Sequence, residues 1–575
     1  MWYNSIGDEN MMTKNYNKKE FNMILYSIDD LVPQDHFLRK YDEALDWSFI
    51  YPLVEDLYSK YGKPSVDPIV LFKIVALNYV EGIHSIRKTC ERCKTDLAYR
   101  WFLGLNFEDK IPDHSTFSQN MSRKFMDTDV FEKILIQIVS VANDYGFIDA
   151  ENTFIDSTHV KANANKKKHE NKTVKLSEKI YKEELIKDIN EDRIAHGKKP
   201  LKEDGKDDDD DDTPNSNNTI DDDTLHKSED SDEIIDINDE DIISYDKETG
   251  EVIEKNKNIK YKNIKVSTVD PESGYYHKGE HEKVFAYSSS AICDKHGFVL
   301  ATYTTSGNIH DSVSFHGLYE NYKKTDFYNE TKLYCLDAGY ASPSIEKTII
   351  DDGKDILVPY IRPKTKKGFF KKYEYVYDEK LDIFICPNNE DLIYKTTNKD
   401  GYRLYESNPN KCINCPFREN CTSNKNYKKT ITQHVWWEYQ EIAHDTRHTL
   451  GNDEIYAKRK ETIERVFADG KENFGLRFTR YKGIKRVHYS LLLTFAFMNL
   501  KKLAILKNKF FPNYSIFEYI KSIFLLKSQK HAFLSTIWSN RVILLLIFLF
   551  KEIFYKMNFA IFMTWFKWNI FCNIF

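Results

Sequence analysis

Apolar positions recur at helical spacing along DPIVLFKIVALNYVEG, Asp67 to Gly82, with Asp67 placed to cap and Pro68 at the first helical position, which predicts a helix there. Shorter helical patterns follow at Ser85–Cys93 and Asp96–Leu103. After the break PDHS, Pro112–Ser115, a helix is expected toward Phe125, and another over Asp129–Tyr145. Residues 1–150 therefore read as an all-helical domain. The texture changes at TFIDS, Thr153–Ser157, a short strand ending in a carboxylate; the polar, basic stretch His159–Lys175 follows, then a charged helical segment, making 151–200 one unit. Strand texture returns at Lys283–Cys293 and Gly297–Thr305, joined by the turn signal DKHG, which predicts a hairpin. A helix at Ser312–Tyr322, a strand at Lys332–Leu336 running into Asp337, a helix at Ser342–Asp352 and a buried-type strand at Asp355–Pro359 complete a 258–362 core. Strands alternating with helices predict a mixed α/β sheet.

Residues 363–432 are rich in Tyr, Lys and Asn, hold four cysteines, and read as an insertion; 433–503 carry a strong helical pattern over Asp453–Asn473 and an apolar helix over Tyr489–Leu503. The tail, 504–575, is full of Phe, Ile and Leu. Its longest uncharged apolar run, Val542–Phe550, is well short of the ~20 residues of a membrane span, so no membrane association is expected. Nine cysteines in 575 residues are too sparse for a disulfide scaffold, and the polar stretch after Met1 has no signal-peptide core, so a reducing, cytoplasmic compartment is expected.

Charge changes the picture once it is divided along the chain. Between Glu203 and Glu254 there are 23 Asp and Glu against three Lys, a local charge of −20, within a net −6; the remainder carries +14. The segment 201–257 is expected to be an acidic disordered insertion, and the rest a basic protein for which nucleic acid is a plausible partner.

Three acids sit where a local element would present them: Asp156 at one strand end, Asp337 at another, and Glu464 within a helix. Adjacent strands can bring the first two together and a packed helix the third. Such a cluster would need hard cations to offset its own repulsion. Cys386, Cys412, Cys415 and Cys421 form a C-x25-C-x2-C-x5-C pattern, a candidate structural Zn²⁺ site, with four reduced thiols as the alternative. Cys90 and Cys93 fall in a helical pattern with no second pair and read as ordinary thiols.

The stretches FIDSTHVKANANKKK, LYCLDAGYAS and RKETIERVFADGKENFGLRFTRYKG resemble the three motif regions of DDE-type insertion-sequence transposases. YGKPSVDPIVLFKIVALNYVEGIHSIRKTCERCKTDLAYRWFLGL and PDHSTFSQ resemble the InsH-type helical domain of the same group, so the likeness spreads over about Tyr61–Leu503. It implies an RNase H-like catalytic fold in which Asp156, Asp337 and Glu464 hold two Mg²⁺ or Mn²⁺ ions; Glu461, one turn earlier, is the rival, but the family pattern sets its glutamate in the IER-F context. The resemblance also implies basic residues flanking the glutamate, a place that Arg459 or Lys460 fills upstream and Lys471 downstream; Ala457 stands where that motif has a tyrosine, and Tyr456 is off the spacing. Arg477, Arg480, Lys482, Lys485 and Arg486 offer a basic track for DNA phosphates. SGNIHD, Ser306–Asp311, resembles the loop before the second aspartate; His310 and Asp311 could line the site but stay outside the catalytic set, and Asp270 in STVDPESG reads as a cap or turn residue. The implied activity is cleavage and strand transfer at terminal inverted repeats, with double-stranded DNA as partner and a homodimer or higher assembly at synapsis. A nuclease that cuts without joining and a catalytically dead DNA-binding repressor are the alternatives.

Overall fold

The computed structural model describes residues 26–511, apart from 60, 63–64, 176–181, 202–233, 236–260, 279–281 and 362–364. The expected acidic insertion therefore lies almost wholly outside the described residues, and so does the apolar tail beyond residue 511.

The expected N-terminal helices are present. Helix α1, Pro68–Val80, begins where the Asp67 carboxylate accepts a hydrogen bond from the Ile69 amide at 2.8 Å, and Pro68 starts it without wasting a donor. It is buried nearly all round, so it serves as a core helix. Helix α2, Val130–Asp144, is amphipathic and buries Phe131, Ile134, Leu135 and Ile138.

A six-stranded mixed sheet follows. Strand β1, Asn152–Lys161, leads into an antiparallel ribbon of β2, His169–Lys175, and β3, Tyr261–Ser267. Thus the stretch after TFIDS is strand where only a polar run was legible. Strands β4, Gly274–Lys278, and β6, Val299–Ser306, both flank the long β5, Glu282–Cys293, whose other edge pairs antiparallel with β1. On its far side β1 pairs in parallel with β7, Leu333–Cys335, and β7 with β8, Asp355–Leu357. The β5–β6 hairpin turns where the Asp294 carboxylate accepts from the His296 and Phe298 amides and Gly297 takes a φ of +75°. Helices α3, Lys182–Ala195, α4, Asp311–Lys323, and α5, Pro343–Asp351, connect these pieces.

The cysteine-bearing section forms its own antiparallel meander: β9, Val376–Asp378, β10, Ile383–Ile385, β11, Asp391–Thr397, β12, Tyr402–Ser407, and β13, Thr430–His434. Its small core is Tyr375, Phe384, Leu392, Tyr405 and Ile431. Helix α3 is tied to it by Asp192 and Arg403 at 2.6 Å and by Arg193 donating to the Thr397 carbonyl at 2.8 Å.

Helix α6, Trp437–His448, leads to the last two helices, where one expectation is corrected. The pattern over Asp453–Asn473 is not one helix: Asn452–Ala457 ends in a tight turn, Lys458–Lys460, and α7 runs only over Ile463–Asn473. Thr462, with ψ of −100°, breaks the path, and its hydroxyl bonds back to the Lys458 carbonyl. Helix α8, Ile484–Phe510, is long and apolar enough to cross a membrane by length and composition, but 72% of its apolar window is buried in the fold. One continuous apolar core joins α1, α2, the sheet, α7 and α8.

Candidate active site

Strand register sets the site. β1 and β7 run in parallel with Phe154 beside Cys335; Asp156 lies two residues further along β1, which continues to Lys161, and Asp337 two residues past Cys335, where β7 has ended, so the two carboxylates are neighbours that feel each other's charge. Neighbouring strands lie ~4.8 Å apart. Asp337 is exposed and its Oδ1 accepts from the Ala338 amide at 2.6 Å, capping a short turn. Asp156 is three-quarters covered; its Oδ1 accepts from the Ser157 amide at 2.8 Å and its Oδ2 lies 3.1 Å from the Arg459 guanidinium. Burial pushes the Asp156 carboxyl up to about 6; Arg459 opposes the rise, while the charges of Asp337 and Asp311 add to it.

Two neighbours that the sequence left outside the catalytic set lie here. Asp311, at the start of α4, accepts a 2.5 Å hydrogen bond from the Ser157 hydroxyl, whereas His310 caps that helix through Nδ1 to the Ser312 amide. Tyr456 holds its ring 5.7 Å from the Arg459 guanidinium and feels the charges of Asp337 and Asp156. Tyr456 is off the spacing of the family motif, yet it lies at this corner, just before the turn at 458–460. SGNIHD was the available signal for Asp311.

Glu464 is exposed on the first turn of α7, a helix packed on β1, but it is not among the charges that act most strongly on Asp156. Among the described residues no group of three or more His, Cys, Asp or Glu side chains is arranged to hold a metal ion. The donor chemistry of Asp156 and Asp337 fits a hard divalent cation, and the Arg459 guanidinium already supplies positive charge at that point; the trio with Glu464 is not closed around an ion.

The basic residues divide. Arg459 is buried against Asp156, with Nη1 unsatisfied among the described residues, so it does not present its charge to solvent. Lys460 is exposed and Lys471 half-buried. Past α7 the chain pairs with the end of β1: the Lys161 amide donates to the Arg477 carbonyl and the Thr479 amide to the Lys161 carbonyl. This leaves Arg477, Arg480, Lys482, Lys485 and Arg486 exposed beyond the strand end, though Arg477 pairs with Glu472 and Lys485 with Asp127. Asp270 does cap: its carboxylate accepts from the Gly483 amide at 3.1 Å, just before α8, and from the Tyr287 hydroxyl at 2.8 Å.

In the small sheet, the Tyr375 hydroxyl is 3.2 Å from the Cys421 sulfur, and Cys412 donates to the Ser407 hydroxyl. Cys386 and Cys412 both act electrostatically on Cys421. Three of the four thiols thus share one neighbourhood, without forming a metal-holding group.

The model of the Transposase domain (DUF772) matches residues 26–123, the helical region, and that of the Transposase DDE domain matches residues 385–504, from the small sheet through α7 and into α8. The comparisons with curated proteins and with solved structures returned no match. A DDE domain implies a DNA-cleaving enzyme class that depends on a divalent metal. With a transposase domain on its N-terminal helices and a transposase DDE domain on the segment that carries Glu464, the chain bears out its resemblance to the DDE-type insertion-sequence transposases.

Proposed function

We propose that this protein binds the terminal inverted repeats of its own element, cleaves the phosphodiester bonds there and joins the freed 3′-hydroxyl ends to target DNA. The observation that supports this reading is the parallel pairing of β1 with β7 up to Phe154 and Cys335, with Asp156 two residues further along β1 and Asp337 two residues past the end of β7, near enough for its charge to act on Asp156. Antiparallel β6, β5 and β1 continued by parallel β7 and β8 support an RNase H-like core. When bound by Asp156, Asp337 and Glu464, two Mg²⁺ or Mn²⁺ ions would supply activation of the attacking oxygen and charge neutralisation at the leaving one. Arg459 pairs with Asp156, and the packing of α7 on β1 supports Glu464 as the third acid. The exposed arginines and lysines past α7 position the duplex, and synapsis of two ends calls for at least two copies.

The test is cleavage and joining of a labelled end-bearing duplex with Mg²⁺. Asp337→Asn and Glu464→Gln are each expected to lower the rate on the order of 10³-fold while DNA binding persists. A wild type that cleaves but yields no joined product supports a nuclease. The Arg459–Asp156 pair gives a second reading some weight, that of a DNA-binding repressor without catalysis. Binding without processing by the wild type and both variants establishes that reading.

A further inference from the structure

The ribbon of β2 and β3 has no place in the reading above, yet it grows directly from the strand that carries Asp156. Its two strands pair from His169 with Ser267 to Lys175 with Tyr261, and among the described residues the two-residue strand Ile234–Ile235 is the one other strand paired with them. Seven residues at 3.3–3.4 Å each give it a reach of roughly 23 Å. His169, Glu170, Asn171 and Lys172 are all exposed in succession, so this part of β2 buries neither face. On β3 Ile264 and Val266 are only half-buried, so the described residues of the ribbon give it little apolar burial, and a ribbon of this kind is marginal in water.

Its charge does point to a role. From Lys161 to Lys172 there are five lysines and one acid, Glu170. Lys166, Lys167 and Lys168 occupy an ordered turn: the Asn165 side chain accepts from the Lys167 amide, the Lys168 amide donates to the Asn165 carbonyl, and the Thr268 amide fastens the Lys168 carbonyl to the end of β3. Lys166, Lys167, Lys168 and Lys172 are exposed and form no ion pair among the described residues. Lys265, on β3, is exposed as well, its ammonium 5.1 Å from the Tyr275 ring. At the root of the ribbon, the Asn163 side chain donates to the Arg480 carbonyl at 3.0 Å, which joins these lysines to the basic segment after α7.

We propose that the β2–β3 ribbon is a DNA-contacting arm: Lys166, Lys167, Lys168, Lys172 and Lys265 engage phosphates of a duplex along its flank, beyond the bond at Asp156 and Asp337, without reading bases. This rests on the transposase reading, which supplies DNA as the partner. Ammonium groups on short flexible stems neutralise phosphates as point charges and carry no base information. A two-stranded ribbon also has the width that the major groove admits.

The test uses the full chain with Lys166, Lys167, Lys168 and Lys172 all changed to Gln, with circular dichroism and a melting curve confirming an unchanged fold. Binding to an end-bearing duplex and to an unrelated duplex is measured across a salt series. The plot of log K against log salt is expected to flatten by about 3.6, since each of the four phosphate contacts contributes roughly 0.9 to the slope. Affinity falls by the same factor for both duplexes, and Glu170→Lys raises it for both. An unchanged slope in the quadruple variant, with the wild type still binding DNA, overturns the arm and leaves those lysines to the acidic stretch 203–254 of the same chain, which lies between β2 and β3 in sequence. A loss confined to the end-bearing duplex also overturns it, because it shows base reading. A wild type that binds neither duplex removes the transposase reading, and the arm with it.

Discussion

At the scale of single residues, the fold keeps two carboxyls out of water for different reasons. Arg459 and Asp156 have side chains 5% and 22% exposed, and neither has water enough to replace the other. Changing Arg459 to Met leaves a buried carboxylate uncompensated, and denaturant unfolding at pH 7 is expected to show a loss of about 3 kcal/mol. At pH 5 the loss shrinks, because Asp156, already pushed up to about 6, then takes a proton. An equal loss at both pH values would mean that Arg459 acts through packing alone. Glu346 on α5 has no such partner: it is 4% exposed, one of its oxygens is unsatisfied among the described residues, and burial alone pushes it up to about 7. Native Glu346 thus holds a proton between pH ~4.5 and 7 that the unfolded chain has released, so its contribution is full below the unfolded value and is lost as pH rises through 7. Relative to Glu346→Gln, the wild type is expected to lose stability steadily from pH 5 to 7, on the order of 3 kcal/mol in all, and then level off. Parallel stability curves for the two proteins would contradict that.

Among the elements, the ends of helices and strands were legible where local chemistry fixes them. Asp67 and Pro68 open α1, the apolar runs of β1 and β7 end in their aspartates, and DKHG turns the β5–β6 hairpin. What could not be read is decided by distant contacts. Helical periodicity continues through 453–473, but Arg459 turns inward to Asp156, some 300 residues earlier in the chain, and Thr462 breaks the helix to allow it. The β2–β3 ribbon lacks the apolar alternation that marks a strand, so only its pairing reveals it. Asp156 and Asp337 were legible as acids ending apolar runs, although β1 continues past Asp156 to Lys161, whereas the place of Asp311 required α4 to pack on β5 and β6 and so meet Ser157 of β1. The end of α7 supplies a test of such long-range fixing. Gly475 has a φ of +77°, and a Cβ there would stand 2.8 Å from the His84 ring in the loop after α1. Gly475→Ala is expected to cost about 2 kcal/mol in denaturant unfolding, from the positive φ and the forced contact together. Additional substitution of His84 by Ala would recover the part due to contact and leave the part due to φ.

At the scale of residues 26–506, the helical region and the sheet are not separate lobes, although the sequence divides them at about residue 150. Phe131 of α2 is fully buried among Phe72, Phe125 and Tyr489, the last 5.0 Å away on α8. The Tyr489 hydroxyl donates to the Met126 carbonyl, and the Tyr79 hydroxyl lies 2.9 Å from that of Ser490. Helix α8 in turn holds the sheet, since the Asn499 side chain accepts from the Val299 amide and donates to the Val299 carbonyl. One helix therefore reads both halves, and a change in either must be felt through it. Phe131→Ala is expected to cost about 3–5 kcal/mol. Because the core is shared, amide exchange in β1 and β5 should accelerate along with exchange in α1 and α2, and the midpoint of unfolding should fall by one amount for a probe in either half. If the amides of the sheet kept their protection while those of the helices lost it, the two halves would be separate cooperative units, and α8 would bind each without coupling them.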